Sequence, residues 1–330
     1  MRIRRLVQRY PYREELEWCS FCNKRHTSDK DAPILRLPLD LSLFIVSLLP
    51  FSDRRSLHDS CLHMEKLVAT PVTTRVRNTL RTFGLDPAPF LESMQYYGAV
   101  IGGMAALRIF AEEVPMPRVL EVYDDNDASD DRGNGYRLVD TLLHTYEKCT
   151  VLGYRHYGYG DNIVKIFRMV NTTLDREILF IQCRVPPIAL ITEAPTTALM
   201  NFITSNDAVC LYPELTEARK GLFTIVIPED GSSTFDIPVF DRLVGHGFTM
   251  FENATRAIGR HLCPMNPSCP ALSRAYPDLL MYSVHFTDAG SYGSRIPSIT
   301  WNLNVPSSCG SSERIQTGVY LYFTVKWTRS

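Results

Sequence analysis

The sequence predicts an α+β protein, a mixed α/β body behind a small helical head, and three observations predict it. Leu41, Phe44, Ile45 and Leu48 fall at i, i+3, i+4 and i+7, the apolar stripe of an amphipathic helix. From residue 74 onward helical and strand-like stretches alternate, as expected where helices pack on a sheet. Near the C-terminus Ile299, Trp301, Leu303 and Val305 alternate with polar neighbours, and so do Val319, Leu321, Phe323, Val325 and Trp327. That period of two with little helix between implies antiparallel strands.

In chain order, residues 1–33 are polar and charged and read as a basic, flexible arm, with Arg2, Arg4, Arg5, Arg9 and Arg13 preceding the first acid at Glu14. Residues 34–72 read as the helical head. Pro38 precedes its first helix and Pro50 ends it; Ser52 is placed to cap a second helix with the stripe Leu57, Cys61, Met64, Leu67 and Val68, which Pro71 is expected to stop. Residues 73–330 form the body. Helices are expected at 74–82, 88–96, 103–112, 136–147, 195–204, 236–245 and 251–260, and strands at 118–123, 162–170, 178–184, 222–228, 279–286, 298–305 and 317–327. The acidic stretch 124–131 and the glycine-rich stretch 153–160 read as surface connections.

Composition narrows the function classes. With 330 residues, 45% hydrophobic and 22% charged, the chain can bury a sizeable core. A net charge of -1 argues against bulk electrostatic capture of nucleic acid. The longest apolar run, Leu41 to Phe51, is broken by Ser42, Ser47 and Pro50 and is far short of the roughly 20 residues a membrane helix needs, so no membrane association is expected. The charged start lacks the apolar core of a secretory leader, and Pro11 with Glu14, Glu15 and Glu17 cuts short a transit-peptide reading. Nine scattered cysteines suit free thiols in a reducing compartment, so a cytoplasmic or nuclear location is expected and two glycosylation sequons, at Asn171 and Asn253, are chance matches.

The first constellation is Tyr97 to Gly103, an apolar run closed by a glycine pair, followed by the helix-like Met104 to Phe110 and the strand-like Arg118 to Tyr123. Glycines at a helix N-terminus let a phosphate approach free N–H groups, so Gly102 and Gly103 are candidate nucleotide-phosphate residues; a packing turn is the plainer alternative. This order resembles the nucleotidyltransferase-like superfamily, and in particular a group of fungal proteins in which such a domain follows an F-box. Phe180-Ile181-Gln182, the block Thr197 to Thr204, the run Cys210 to Thr216 and Cys269-Pro270 with Arg274 match as well, so the resemblance spans roughly residues 35–285.

The resemblance implies a carboxylate pair on the strand after the helix, two residues apart and on one face, holding divalent metal such as magnesium against nucleotide phosphates. Carried over residue by residue, the first position falls on Val119 and the second on Glu121, with Tyr123 next on that face. Only Glu121 could ligate, with Asp125 farther along the same face. A later strand should bring a third carboxylate, but Ile178 to Cys183 offers Ile181 and Gln182, and Asp175 and Glu177 lie at its start. Loss of the ligands implies loss of the reaction.

The second constellation is the head. Leu37, Pro38, Ile45, Leu48, Pro50, Asp53, Ser60-Cys61 and Leu67 resemble an F-box, which implies docking on a Skp-type adaptor of a cullin ubiquitin ligase through Leu37, Pro38, Phe44, Ile45, Leu48 and Pro50. The competing reading is a helical hairpin that caps its own body, and the third helix usual in an F-box is indistinct. Two Cys/His clusters complete the inventory. Cys19, Cys22 and His26 look like half a zinc knuckle, and His261, Cys263 and Cys269 among Pro264, Pro267 and Pro270 lack a defined fourth ligand, for which His285 or Cys309 could serve. A proline-stiffened loop with buried thiols is the plainer expectation there, so no bound metal is expected and zinc is the minor alternative.

The expected function is that of a non-catalytic interaction protein, an F-box-like ligase adaptor with a pseudo-nucleotidyltransferase body. The alternative is a magnesium-dependent nucleotidyltransferase with an atypical site around Glu121.

Overall fold

The structure, a computed structural model, describes residues 17–19, 24–26, 34, 37–125, 146, 148–152, 162–224, 237–261, 263–286 and 297–303. It is α+β, and it divides into two compact units, Met1–Thr74 and Arg75–Ser330.

In the first unit, β1 (Glu17–Cys19) and β2 (Lys24–His26) form an antiparallel hairpin within the segment read as a flexible arm. Three helices follow: α1 (Leu39–Leu48), α2 (Phe51–His58) and α3 (Leu62–Thr82), the last of which runs past Thr74 into the second unit. Pro38 and Pro50, not Ser52, occupy the N-cap positions of α1 and α2, where their carbonyls accept the first helical amides, from Ser42 and Arg54. The second helix of the sequence reading is in fact two. The Ser60 hydroxyl donates to the Leu57 carbonyl at 2.6 Å, and side-chain competition of this kind ends α2 before the stripe is complete.

Pro71 does not stop α3 either. An interior proline costs a helix about 3 kcal/mol, yet Val68, Val72, Val76 and Leu80 lie one turn apart on both sides of it, and all are buried. Burying each such side chain contributes about 1.5–3 kcal/mol. The stripe outweighs the break.

The second unit continues with α4 (Pro87–Tyr97), β3 (Val100–Gly102), α5 (Gly103–Phe110), β4 (Val119–Asp125), β5 (Lys148–Leu152), β6 (Ile163–Asn171) and β7 (Arg176–Cys183). Then come α6 (Pro187–Thr192), β8 (Asn201–Ile203), β9 (Asp207–Cys210), α7 (Pro213–Glu217) and β10 (Lys220–Leu222). The described part closes with α8 (Ile237–Gly245), β11 (Thr249–Phe251), α9 (Ala254–Ile258), β12 (Arg274–Tyr276), β13 (Tyr282–His285) and β14 (Ile299–Trp301).

Eight of these strands form one sheet in the order β13-β9-β8-β3-β4-β7-β6-β5. Only the β4–β7 pair in it is parallel. The antiparallel β12–β14 pair and the parallel β10–β11 pair lie apart from it. β7 sits inside the sheet, and every residue from Glu177 to Cys183 is buried, which is why it reads as the continuous apolar run Ile178-Leu179-Phe180-Ile181 rather than an alternating one.

The expected helix at 195–204 is a correction. There the chain makes a 3-10 turn at Thr197–Leu199, capped by the Thr196 hydroxyl, and then strand β8. Pairing with β3 on one side and β9 on the other overrides a weak helical period in a segment rich in β-branched residues. The expected helix at 251–260 shortens to Ala254–Ile258 because Asn253 caps it late and Met250 and Phe251 belong to β11. The expected strand at 317–327 and most of the expected helix at 136–147 lie outside the described residues, as does much of the strand at 222–228. Among the described residues no helix is long and apolar enough to cross a membrane.

Candidate functional site

The glycine turn and the carboxylate strand are direct neighbours. β3 pairs with β4 so that Val100 faces Tyr123, Ile101 faces Val122 and Gly102 faces Glu121. Gly103 opens α5 with φ +63°, and a Cβ added to it would lie 2.7 Å from all three atoms of the Glu121 carboxyl group. The turn therefore needs glycine for two reasons, its left-handed backbone and the carboxylate packed on its Cα. At Gly102 an added Cβ would meet the Tyr123 ring at 2.8 Å and Ile191 of α6 at 3.5 Å. The Tyr123 hydroxyl donates to Glu121 Oε2 at 2.6 Å.

That geometry changes the meaning of the turn. A helix N-terminus favours negative charge, and the first residue of α5 already has the protein's own carboxylate beside it. A phosphate brought to the same place would face Glu121 across a short gap, and without a metal the two charges repel.

Among the described residues, β7, the strand beside Glu121, offers no further carboxylate on the same face level with Glu121 or Tyr123. In the β4–β7 register Glu121 stands beside Leu179 and Tyr123 beside Ile181, so the third-carboxylate positions are apolar. Gln182 pairs with Asp124 instead, one residue out of phase and so on the opposite face. Asp125 is registered with Cys183, and its side chain lies outside the described residues. Val100, Tyr123, Leu179, Ile181 and Cys183 belong to a core cluster with Ile188, Leu190 and Ile191 of α6. Core packing occupies the face where metals would sit.

Glu177 is committed elsewhere. Arg168 donates two hydrogen bonds to it, at 2.7 and 2.8 Å, and Arg118 stands 3.5 Å away. The Arg168 hydrogen bonds hold this carboxyl below its usual range. Its register partner is Val119, at the far end of the strand pair from Asp125.

The head presents a different kind of feature. Of α1, only Ser42 and Val46 are buried; the Ser42 hydroxyl donates to the Ile34 carbonyl at 2.9 Å. Leu37, Pro38, Phe44, Ile45, Leu48 and Pro50 are all exposed, with Phe44 at 60% and Leu48 at 67%. Leu41, the first residue of the α1 stripe, is 50% exposed as well. Isolated exposed apolar residues are ordinary; a contiguous set on one helix face marks an interaction surface. The stripe that the sequence places on one side of a helix thus points to solvent.

His261, Cys263 and Cys269 are brought together, their ligating atoms all within 4.8 Å of one another. Among the described residues no other group of three or more His, Cys, Asp or Glu side chains converges in this way. Cys19 pairs with Lys24 and His26 with Glu17, so the β1–β2 hairpin holds those two candidates out of register, and Cys22 lies outside the described residues.

Two features escaped the sequence reading. Arg274 is buried, its guanidinium 5.1 Å from the centre of the Tyr212 ring and 5.5 Å from that of Trp301, and it donates to both carboxylate oxygens of Asp278. Burial works against the Asp278 charge, but the Arg274 hydrogen bonds and charge outweigh it and hold the carboxyl low. Glu193, just after α6, accepts from Asn162 Nδ2 at 3.0 Å, and burial pushes its pKa up to about 7. Neither has a motif: Asp278 lies only four residues from Arg274, but Tyr212 and Trp301 are distant in sequence from Arg274, and Asn162 from Glu193. No protein-family model, curated protein or solved structure matches this chain.

Proposed function

We propose that the chain is a non-catalytic interaction protein, in which an F-box-like head docks on a Skp-type adaptor of a cullin ubiquitin ligase. The body keeps a nucleotidyltransferase-like arrangement without its reaction and serves to bind what the ligase acts on. Such an assembly belongs in the cytoplasm or nucleus, where the odd set of nine cysteines is also at home.

The observation that carries this reading is the exposed face Leu37, Phe44, Ile45 and Leu48. A helix whose apolar stripe faces water while Ser42 and Val46 face inward is built to lay that stripe in a partner's groove. The missing ligands around Glu121 support the non-catalytic half.

Co-purification of the full chain with a Skp-type adaptor tests it. The folded wild type should retain the adaptor, and Phe44→Asp or Leu48→Asp should weaken binding at least about tenfold by placing a charge in an apolar contact. Thermal unfolding should barely change, since exposed positions contribute little to stability. A folded wild type that never retains the adaptor, or equal binding by the variants, sinks the idea.

One observation favours a second reading, the adjacency of the Gly103 turn and Glu121. A magnesium-dependent nucleotidyltransferase built on it would transfer nucleotide to an acceptor and lose that activity in Glu121→Gln. Unchanged turnover in that variant, or none in the wild type, rules it out.

A further inference from the structure

We propose that His261 Nε2, Cys263 Sγ and Cys269 Sγ bind a single zinc ion that ties down the segment between α9 and β12. This site is independent of the adaptor reading. The three ligating atoms lie within 4.8 Å of one another, and Cys263 Sγ is 3.4 Å from His261 Nε2. Tetrahedral zinc, with Zn–S of about 2.3 Å and Zn–N of about 2.1 Å, sets its ligands about 3.5–3.8 Å apart. The His261–Cys263 edge, at 3.4 Å, is close to that length, and the remaining edges, none above 4.8 Å, need a contraction of at most about 1 Å.

The histidine is oriented for the task. His261 Nδ1 stands 3.0 Å from the Gly259 carbonyl, which can only accept, so Nδ1 carries the proton and Nε2 presents its lone pair to the thiol side. A backbone carbonyl on the non-ligating nitrogen is the usual outer partner of a zinc-bound histidine. The cysteine positions are built as well. Cys269 is buried and sits on a turn closed by Asn266, whose carbonyl accepts from the Cys269 amide at 2.9 Å and whose Oδ1 accepts from the Ser268 amide at 2.8 Å. Pro264, Pro267 and Pro270 restrict the same loop and lower the entropy lost when the site forms. Arg274 Nη1 donates to the Pro267 carbonyl at 3.3 Å and so fastens the loop to the buried Arg274–Asp278 pair.

Two thiolates and one neutral imidazole neutralise the two charges of the ion, leaving a neutral site in a partly buried place. The fourth position is left to water, which completes the tetrahedron. Among the described residues His285, whose Nδ1 stands 3.0 Å from Asp207, is not part of the converging group.

The test is metal analysis of the full chain after gel filtration in the presence of equimolar zinc. The wild type should retain about one zinc, and Cys263→Ser and His261→Gln should retain below about a tenth. Cys263 is exposed, so serine there leaves the fold intact, which circular dichroism verifies. Cobalt in place of zinc should give thiolate charge-transfer absorption in the wild type, and in Cys263→Ser that absorption should be lost together with the metal. A folded wild type without zinc, zinc undiminished in folded Cys263→Ser, or a Cys263–Cys269 disulfide in the reduced-buffer preparation overturns the proposal.

Discussion

Carboxylates of the body show how surroundings set chemistry. Glu121 lies against Gly103 and accepts from the Tyr123 hydroxyl. Glu193 is raised to about 7 because burial penalises its charge more than the Asn162 hydrogen bond supports it. A glutamate with a raised folded-state pKa contributes stability that is complete below its usual value of 4.5 and is lost as the pH rises through about 7. Glu193→Gln keeps an acceptor for Asn162 and removes the titration. It should therefore match the wild type near pH 4.5 and exceed it at pH 8 by on the order of 1 kcal/mol, after allowance for the solvent-facing part of the carboxyl. Urea unfolding across that range checks it, and parallel curves for the two proteins would refute it. Glu177 and Asp278, both held low by arginines, work in the other direction and lose their contribution as the pH falls.

Elements show which local rules yield to packing. Pro71 lies inside α3, and the helix survives because Val68, Val72, Val76 and Leu80 bury one continuous stripe across it. Pro71→Ala should restore the missing amide bond to the Leu67 carbonyl and stabilise the chain by about 1–2 kcal/mol, the gain being trimmed because proline also restricts the unfolded chain. A lower midpoint of denaturation in that variant would mean that the proline ring is itself part of the packing. In α1 the period of the stripe was legible, since a 3.6-residue repeat is a local property. Its direction was not: the same spacing serves a core-facing helix and a partner-facing one, and only the burial of Ser42 and Val46 separates them. β8 went the other way, its strand state set by β3 and β9 on either side.

Across the whole second unit, Arg274 joins segments far apart in the chain. It pairs across strands with Trp301, stacks near Tyr212, and bonds Asp278, while the Trp301 indole donates to the Tyr212 hydroxyl at 3.0 Å. Arg274→Met should leave the Asp278 carboxyl without its cation and cost about 3 kcal/mol, with Arg274→Lys recovering only part because lysine lacks the planar fork. Equal thermal midpoints for wild type and Arg274→Met would show that the cluster is dispensable. By itself the sequence determined the α+β class, the helical head, the order of glycine turn, helix and carboxylate strand, and the solitary position of Glu121, because period and residue type are local quantities. Tertiary structure alone decided that Glu121 abuts Gly103, that Leu179 and Ile181 stand where further carboxylates would be, and that His261, Cys263 and Cys269 converge. Each of those depends on strand register or loop closure, and these arise from the balance of burial and chain entropy over the whole fold rather than from any one segment.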